Sequence, residues 1–130
     1  EAESGVMTTR SSQKSRSALK KKCDVVFSKI IRLGGKCEHC GKTSSLQCAH
    51  VISRNKLNLR WDLWNALCLC YGCHLQFWHR SPLEAITWFQ EKYPERFNYL
   101  MEKKNVLLMG QVNYEDLYKK LVVLWAEMSK

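Results

Sequence analysis

The sequence contains no long apolar run. No stretch approaches the roughly 18 consecutive apolar residues that a membrane-spanning helix requires, which argues against a membrane protein. No segment has the charged start and apolar middle of a signal peptide, which argues against secretion. Internal repeats, which would indicate a solenoid, are absent as well. We therefore expect a cytoplasmic, globular protein.

Acidic side chains are scarce. The chain has 12 Asp and Glu against 21 Lys and Arg, a formal net charge of +9. The excess is uneven, because residues 1–36 hold nine basic and three acidic side chains. A basic excess near one end favours a polyanionic partner, with nucleic acid as the first candidate. A solvated basic tail that only aids solubility explains the charge alone equally well.

The length predicts a single domain. A chain of 130 residues that is 45% hydrophobic can build one core. Residues 1–16 are polar and basic, and we expect them to form a disordered tail. From about Ser17 the apolar side chains fall on one helical stripe, which comprises Leu19, Cys23, Val26, Phe27, Ile30 and Ile31. The pair Gly34–Gly35 predicts the end of that helix.

Short strands and a helix are predicted in the middle of the chain. Leu46 to Ile52 and Ala66 to Leu69 have the apolar, β-branched character of strands, and the first ends near His50. A polar, basic loop at residues 53–64 joins them. Tyr71 to about His79 is predicted to be helical.

Three further helices are predicted toward the carboxyl end. Ser81 can cap the first, with Pro82 at its first position and Glu84 completing a capping box. Pro94 begins the second. Asn113 caps the third, whose apolar face comprises Tyr114, Leu117, Leu121, Leu124, Trp125 and Met128. The predicted fold is therefore α+β.

Four of the seven cysteines form two Cys-x-x-Cys pairs, which are Cys37/Cys40 and Cys70/Cys73. In a reducing compartment such pairs indicate a metal site, and four thiolates suit tetrahedral Zn²⁺. Two substitutes for a ligand stay open, His39 and Cys68. The cysteines outside the pairs are expected to be buried free thiols: Cys23, Cys48 and Cys68. A four-thiolate site has no open position, so we expect this zinc to be structural.

A histidine, an asparagine and a second histidine lie in order between and after the cysteine pairs: His50, Asn65 and His74. With this set, the stretches LQCAHVISR, RWDLWNALCLC and CHLQFWHRSP resemble the HNH nucleases, also called His-Me finger or ββα-metal nucleases. The similarity covers about residues 37–79 and is to the subgroup with two zinc-binding Cys-x-x-Cys pairs. A looser similarity reaches phage proteins of the lambda recombination nuclease family.

The resemblance implies a fold and a division of roles. It implies a small ββα-metal finger with zinc-bound knuckles at 37–79, flanked by one amino-terminal helix and about three helices in 81–130, all within one domain at 17–130. His50 would be the general base, Asn65 would orient His50 or its loop through amide hydrogen bonds, and His74 would bind a catalytic divalent cation such as Mg²⁺, Mn²⁺ or Ni²⁺. The implied reaction is hydrolysis of DNA phosphodiester bonds, with recombination or branched DNA as one substrate class.

One position departs from the family. Many members carry a second metal ligand directly before the base, where this chain has Ala49. The nearest spare imidazole, His79, lies five residues after His74, which is a poor register on an α-helix, so it is the weaker ligand candidate. His39 is expected to be an exposed knuckle residue.

Two function classes therefore stay open. The first is an endonuclease that grips DNA phosphates through Arg54, Lys56 and Arg60 in the basic loop. The second is a catalytically inactive zinc-binding module that binds nucleic acid or protein. A homodimer is an open alternative for either class.

Overall fold

The computed structural model describes residues 10–130, with side chains described from residue 15 onward. Five α-helices, two strands and one π-helix make up this part of the chain. In chain order they are α1 (Arg10–Ile31), β1 (Leu46–His50), α2 (Leu57–Arg60), β2 (Ala66–Cys70), the π-helix (Cys73–His79), α3 (Pro82–Lys92), α4 (Pro94–Lys103) and α5 (Tyr114–Met128). Short 3-10 turns follow α1 at Arg32–Gly34 and precede β2 at Leu63–Asn65. The α+β prediction, with its amino-terminal helix and three carboxy-terminal helices, is confirmed.

The sheet is a two-stranded antiparallel ribbon. Its register pairs Leu46 with Cys70 at one end and His50 with Ala66 at the other. Every residue of β2 is buried, whereas β1 is mostly half-buried. Both strands lie where the sequence predicts them, because their apolar runs are bounded by polar loops on each side.

The two faces of the ribbon contact different helices. Alternate residues of β2 point to opposite sides, so Leu67 and Leu69 pack against the π-helix, α3 and α4, in a core that includes the fully buried Phe89. Ala66 packs on the other side against α1 and α5, where Phe27 is central. The domain thus has two apolar clusters separated by the sheet.

Helix α1 is longer than predicted. It begins at Arg10, so the prediction of a disordered tail is wrong for residues 10–16, whereas residues 1–9 lie outside the described part. Arg16 explains part of this extension, because its guanidinium donates to Val112 O at 3.2 Å and lies 4.7 Å from the centroid of the Tyr114 ring. The predicted apolar stripe of α1 is confirmed, and Gly35 ends the helical region with a left-handed φ of 76°.

The helix starts agree with the sequence in position, but one cap differs. Pro82 and Pro94 begin α3 and α4 as predicted, yet Ser81 makes no side-chain capping bond, so the predicted capping box is wrong. Asn113 caps α5 by accepting from Asp116 N at 3.1 Å. Met128 is half-exposed and does not belong to the buried face of α5. No helix in residues 10–130 is both long and apolar enough to cross a bilayer.

Candidate functional site

The four cysteines of the two Cys-x-x-Cys pairs meet at one point. The sulfur atoms of Cys37, Cys40, Cys70 and Cys73 all lie within 4.8 Å of one another, and the Cys40 and Cys70 sulfurs are 3.7 Å apart. Tetrahedral thiolates bound to zinc at about 2.3 Å have sulfurs about 3.8 Å apart. The predicted set is therefore confirmed as a cluster that can hold a metal ion such as zinc.

Backbone amides support thiolates at this cluster. Cys40 N lies 3.4 Å from Cys37 Sγ, and Cys73 N lies 3.4 Å from Cys70 Sγ, so each turn aims an N–H group at its first sulfur. Burial opposes ionisation of Cys37, but backbone N–H donors, led by that of Cys40 and including those of Cys70 and His39, bring the pKa of its thiol down to about 6. Burial and the neighbouring thiols raise the pKa of Cys73. A divalent cation would displace the remaining protons on binding.

The first knuckle is anchored to the rest of the domain through Glu38. Its backbone N–H donates to Cys68 O at 2.8 Å, and its carboxylate accepts from Cys68 N at 2.7 Å and from the Tyr93 hydroxyl at 2.6 Å. Gly41 completes the turn with a left-handed φ of 84°. Cys37 and Cys40 are thereby fixed to β2 and to the end of α3.

Neither alternative ligand is one of the four clustered sulfurs, although His39 Nδ1 lies 3.3 Å from Cys73 Sγ. His39 is exposed, as predicted, and its ring stacks on Phe77 with centroids 3.9 Å apart. Cys68 lies opposite Cys48 in the ribbon. Cys23 and Cys68 are buried free thiols as predicted, whereas Cys48 is only half-buried, so that part of the prediction is wrong.

His50 is the last residue of β1 and is held at one ring nitrogen. Its Nε2 lies 2.8 Å from Arg60 O, and a carbonyl oxygen only accepts, so Nε2 carries the proton and Nδ1 keeps its lone pair. Burial against Phe27 and the rest of the site lowers the pKa of His50, since the charged form is disfavoured there. A neutral imidazole with a fixed tautomer is the form that a general base requires.

Asn65 holds the loop that follows His50. Its side chain is fully buried. Its Oδ1 accepts from Ile52 N at 2.7 Å, and its Nδ2 donates to Ile52 O and to Leu59 O, each at 3.0 Å. These three bonds tie both ends of residues 52–59 to the start of β2. Asn65 makes no hydrogen bond to the His50 ring itself. Its effect on His50 is through the backbone.

Arg60 lies inside the protein, where its guanidinium cannot grip DNA. It forms two hydrogen bonds to the Asp24 carboxylate, at 3.0 Å and 2.6 Å, and Trp61 Nε1 donates to the same carboxylate at 2.9 Å. Burial would raise the pKa of Asp24, but the bonds and charge of Arg60 lower it. The prediction that Arg60 binds phosphate is therefore wrong. Arg54 and Lys56 remain exposed.

His74 and His79 are adjacent, contrary to the α-helical spacing argument. Their ring centroids lie 4.6 Å apart, because the segment that carries them is a π-helix, in which residues five apart are neighbours. His74 Nδ1 lies 2.7 Å from Gln47 Oε1, so Nδ1 donates and Nε2 is left as the ligand atom. Burial lowers the pKa of His74, and the nearby charges of His79 and His50 lower it further.

An open cleft of about 380 Å³ lies between α1 and β1, and His50 lines it. Gln47 lines the same cleft and joins it to His74. Two guanidinium groups, Arg32 and Arg54, lie on its wall. The Nε atom of Arg32 donates to Ser28 O at 3.2 Å and to Ser28 Oγ at 3.1 Å, which leaves its two terminal nitrogens for a ligand. Sequence reasoning missed Arg32, because its place in the cleft depends on its contact with Ser28 and on the packing of β1 beside α1.

No helix or strand of the described chain supplies a third ligand to His74 and His79. In residues 10–130 the only group of three or more His, Cys, Asp or Glu side chains close enough to share an ion is the four-cysteine cluster. Ala49 is fully buried and offers no ligand atom. A cation at His74 would thus take its other ligands from water and from a phosphate.

Comparison with known protein families, curated proteins and solved structures finds no match to this chain. Function is therefore inferred from the site itself.

Proposed function

We propose that this chain is a metal-dependent DNA endonuclease of the HNH type. The observation that carries the proposal is the placement of His50, whose Nε2–H is held by Arg60 O at 2.8 Å on the wall of an open, basic cleft, where burial also lowers the pKa of its imidazole. The order of β1, β2 and the π-helix, with His50 on the first strand and His74 on the helix, supports a ββα-metal finger.

The structural ion is assigned to the cysteine cluster. Four thiolates satisfy zinc completely, so the ion would stabilise the fold and take no part in the reaction. Its position at the junction of β2 and the π-helix suits this role, because Cys70 ends the strand and Cys73 begins the helix. Zinc would thereby fix the direction in which the π-helix leaves the sheet.

His50 performs the proton transfer in this proposal. Its Nδ1 takes a proton from a water molecule as the water oxygen bonds to phosphorus. The bond from phosphorus to the 3′ oxygen breaks, and the departing 3′ oxygen takes a proton from solvent water. Asn65 keeps the Arg60 carbonyl in place by holding residues 52–59, so Nδ1 stays unprotonated and directed outward. The products are a 5′-phosphate and a 3′-hydroxyl end.

His74 and His79 would hold the catalytic cation. The residues fit a divalent ion in part, since Gln47 orients His74 by the kind of bond that metal-binding histidines use. When bound, such an ion polarises the phosphate and stabilises the leaving oxygen. Two imidazoles leave several positions open for water and phosphate oxygens. Imidazole nitrogen suits Ni²⁺, whereas Mg²⁺ or Mn²⁺ would be held mainly by those oxygens.

The cleft supplies the contacts to the phosphate backbone. Arg60 is buried and cannot contact phosphate. This role falls to the Arg32 guanidinium, which Ser28 orients, and to the exposed side chains of Arg54 and Lys56. Arginine is well suited because its planar fork matches two phosphate oxygens. The substrate is DNA in this proposal, and recombination intermediates or other branched DNA form one class to test.

Plasmid cleavage tests the proposal. Purified protein with Mg²⁺, Mn²⁺ or Ni²⁺ should nick or cut supercoiled plasmid, and His50→Ala should abolish cleavage while zinc content and melting temperature stay unchanged. His74→Ala should require a higher cation concentration for the same rate. Uncut plasmid with every cation would instead favour a catalytically inactive zinc-binding module, the function that the buried, non-ligating Ala49 favours.

A further inference from the structure

The segment between α4 and α5 exposes four consecutive apolar side chains. Val106, Leu107, Leu108 and Met109, together called the apolar loop, are 51, 83, 42 and 91% exposed. Surface runs of this kind weaken solubility and are usually covered by a partner. Nothing in the proposed chemistry of His50 or of the cysteine cluster accounts for them.

The apolar loop is fixed against the loop that follows His50. Asn58 Nδ2 donates to Lys103 O at 2.9 Å, and Val106 N donates to the same oxygen at 3.0 Å. A groove of about 230 Å³ lies between residues 55–58 and 104–108. Asn55 and Lys56 line this groove, and Arg54, which directly precedes them, lines the cleft, so the loop that follows His50 joins the groove to the cleft.

The charge of this surface favours a polyanion. Residues 53–60 and 103–112 contain no Asp or Glu, and their exposed basic side chains include Arg54, Lys56 and Lys103. A polar protein partner would gain little from exposed leucine and methionine beside this charge. DNA can bind both the basic and the apolar side chains of this surface. Its phosphates attract the basic groups, and its stacked bases accept apolar side chains between them.

We propose that the apolar loop is a wedge that inserts between neighbouring bases of bound DNA, with Leu107 and Met109 as the inserting side chains. This inference rests on the proposed function, because it takes DNA as the ligand of the cleft. Side chains of this kind unstack one base step and bend the duplex. Insertion is easier where stacking is already interrupted, so a bulge should be preferred over an uninterrupted duplex.

Fluorescence of 2-aminopurine tests the wedge. The probe is a duplex with 2-aminopurine beside a one-base bulge, measured without divalent cation so that cleavage plays no part. Wild-type protein should raise the fluorescence, because unstacking removes quenching. The double variant L107S/M109S should abolish the rise and weaken binding by about 100-fold, since burial of each large apolar side chain is worth roughly tenfold. The control is L83S, because Leu83 is also 83% exposed but lies on α3, outside the apolar loop.

The outcomes separate the wedge from the nuclease proposal. A fluorescence rise that persists in L107S/M109S, or is lost equally in L83S, overturns the wedge, even if the protein cuts plasmid. A rise in wild type that the double variant lacks supports the wedge, even if no cation yields cleavage. Binding of the wild type to phosphatidylserine vesicles through Leu107 and Met109, with no fluorescence change on DNA, overturns the wedge in favour of a lipid surface.

Discussion

The pair formed by Asp24 and Arg60 should contribute strongly to stability. The Arg60 side chain is 8% exposed and the Asp24 side chain 28%, with their closest atoms 2.6 Å apart. Asp24→Ala leaves a buried guanidinium without its carboxylate, which typically costs 3–5 kcal/mol. We expect about 3 kcal/mol here, because Asp24 is partly exposed and Arg60 can still donate to Arg54 O at 3.3 Å.

Urea unfolding at pH 7 measures this cost, and a double-mutant cycle assigns it. A loss of about 3 kcal/mol corresponds to a fall in melting temperature of about 10 °C for a domain of this size. Arg60→Met should cost less than Asp24→Ala, because the carboxylate left behind reaches water. The double variant D24A/R60M should be more stable than D24A alone, since it removes the unpaired charge. A D24A variant that loses under 1 kcal/mol, or that R60M does not rescue, would refute the reasoning.

The same pair predicts a pH dependence. The pKa of Asp24 is lower in the folded protein than in the unfolded chain, so its stabilisation is fully present above the unfolded pKa of about 4 and is lost as pH falls through the folded pKa. The stability gap between wild type and D24A should stay constant from about pH 5 to 8 and shrink at lower pH. A gap that widens on acidification would contradict the assigned charge state.

Three further predictions concern the site. Cys73→Ser, or removal of metal with a strong chelator, should abolish cooperative unfolding in calorimetry, because metal binding to four thiolates supplies folding free energy; an unchanged melting temperature would contradict the cysteine cluster. Because burial lowers the pKa of His50, the acid limb of kcat/KM for plasmid cleavage should have its midpoint below about 6.5, and a midpoint above that value would exclude His50 as the base. Arg32→Ala should lower kcat/KM about 100-fold, and Arg32→Lys should retain part of the activity that Arg32→Ala loses. The control Lys21→Ala, on the exposed face of α1, should have little effect. Equal losses in the Arg32→Ala and Lys21→Ala variants would show that Arg32 acts only through general charge.

The features that the sequence predicts correctly depend on local patterns. The two Cys-x-x-Cys pairs need only short turns to aim their sulfurs, and the two strands follow from apolar runs bounded by polar loops. The prolines at the starts of α3 and α4 act within one turn of their own position. Patterns of this kind need no knowledge of distant contacts.

The features that the sequence does not predict depend on partners far along the chain. Arg60 has the spacing of a solvated basic loop residue, and only Asp24, which lies 36 positions earlier on α1, turns it inward. Arg32 belongs to the cleft because Ser28 turns its side chain and β1 packs beside α1. The sequence shows that residues 106–109 are all apolar, but it does not show that they are exposed. Their exposure depends on the absence of any element packed over them in the described chain.

Three contacts constrain the seven residues of the π-helix. Cys73 at its start is drawn to the sulfur cluster, while Trp78 near its end donates to His50 O at 3.0 Å and packs into the core. A π-helix has a wider turn than an α-helix, so it places residues five apart on one face. That geometry brings His79 to His74, and His74 lies near enough to His50 at the end of β1 for their charges to interact. A segment held as an α-helix would separate the two imidazoles, so the local backbone conformation, rather than residue type, decides whether this chain can offer two nitrogens to one cation.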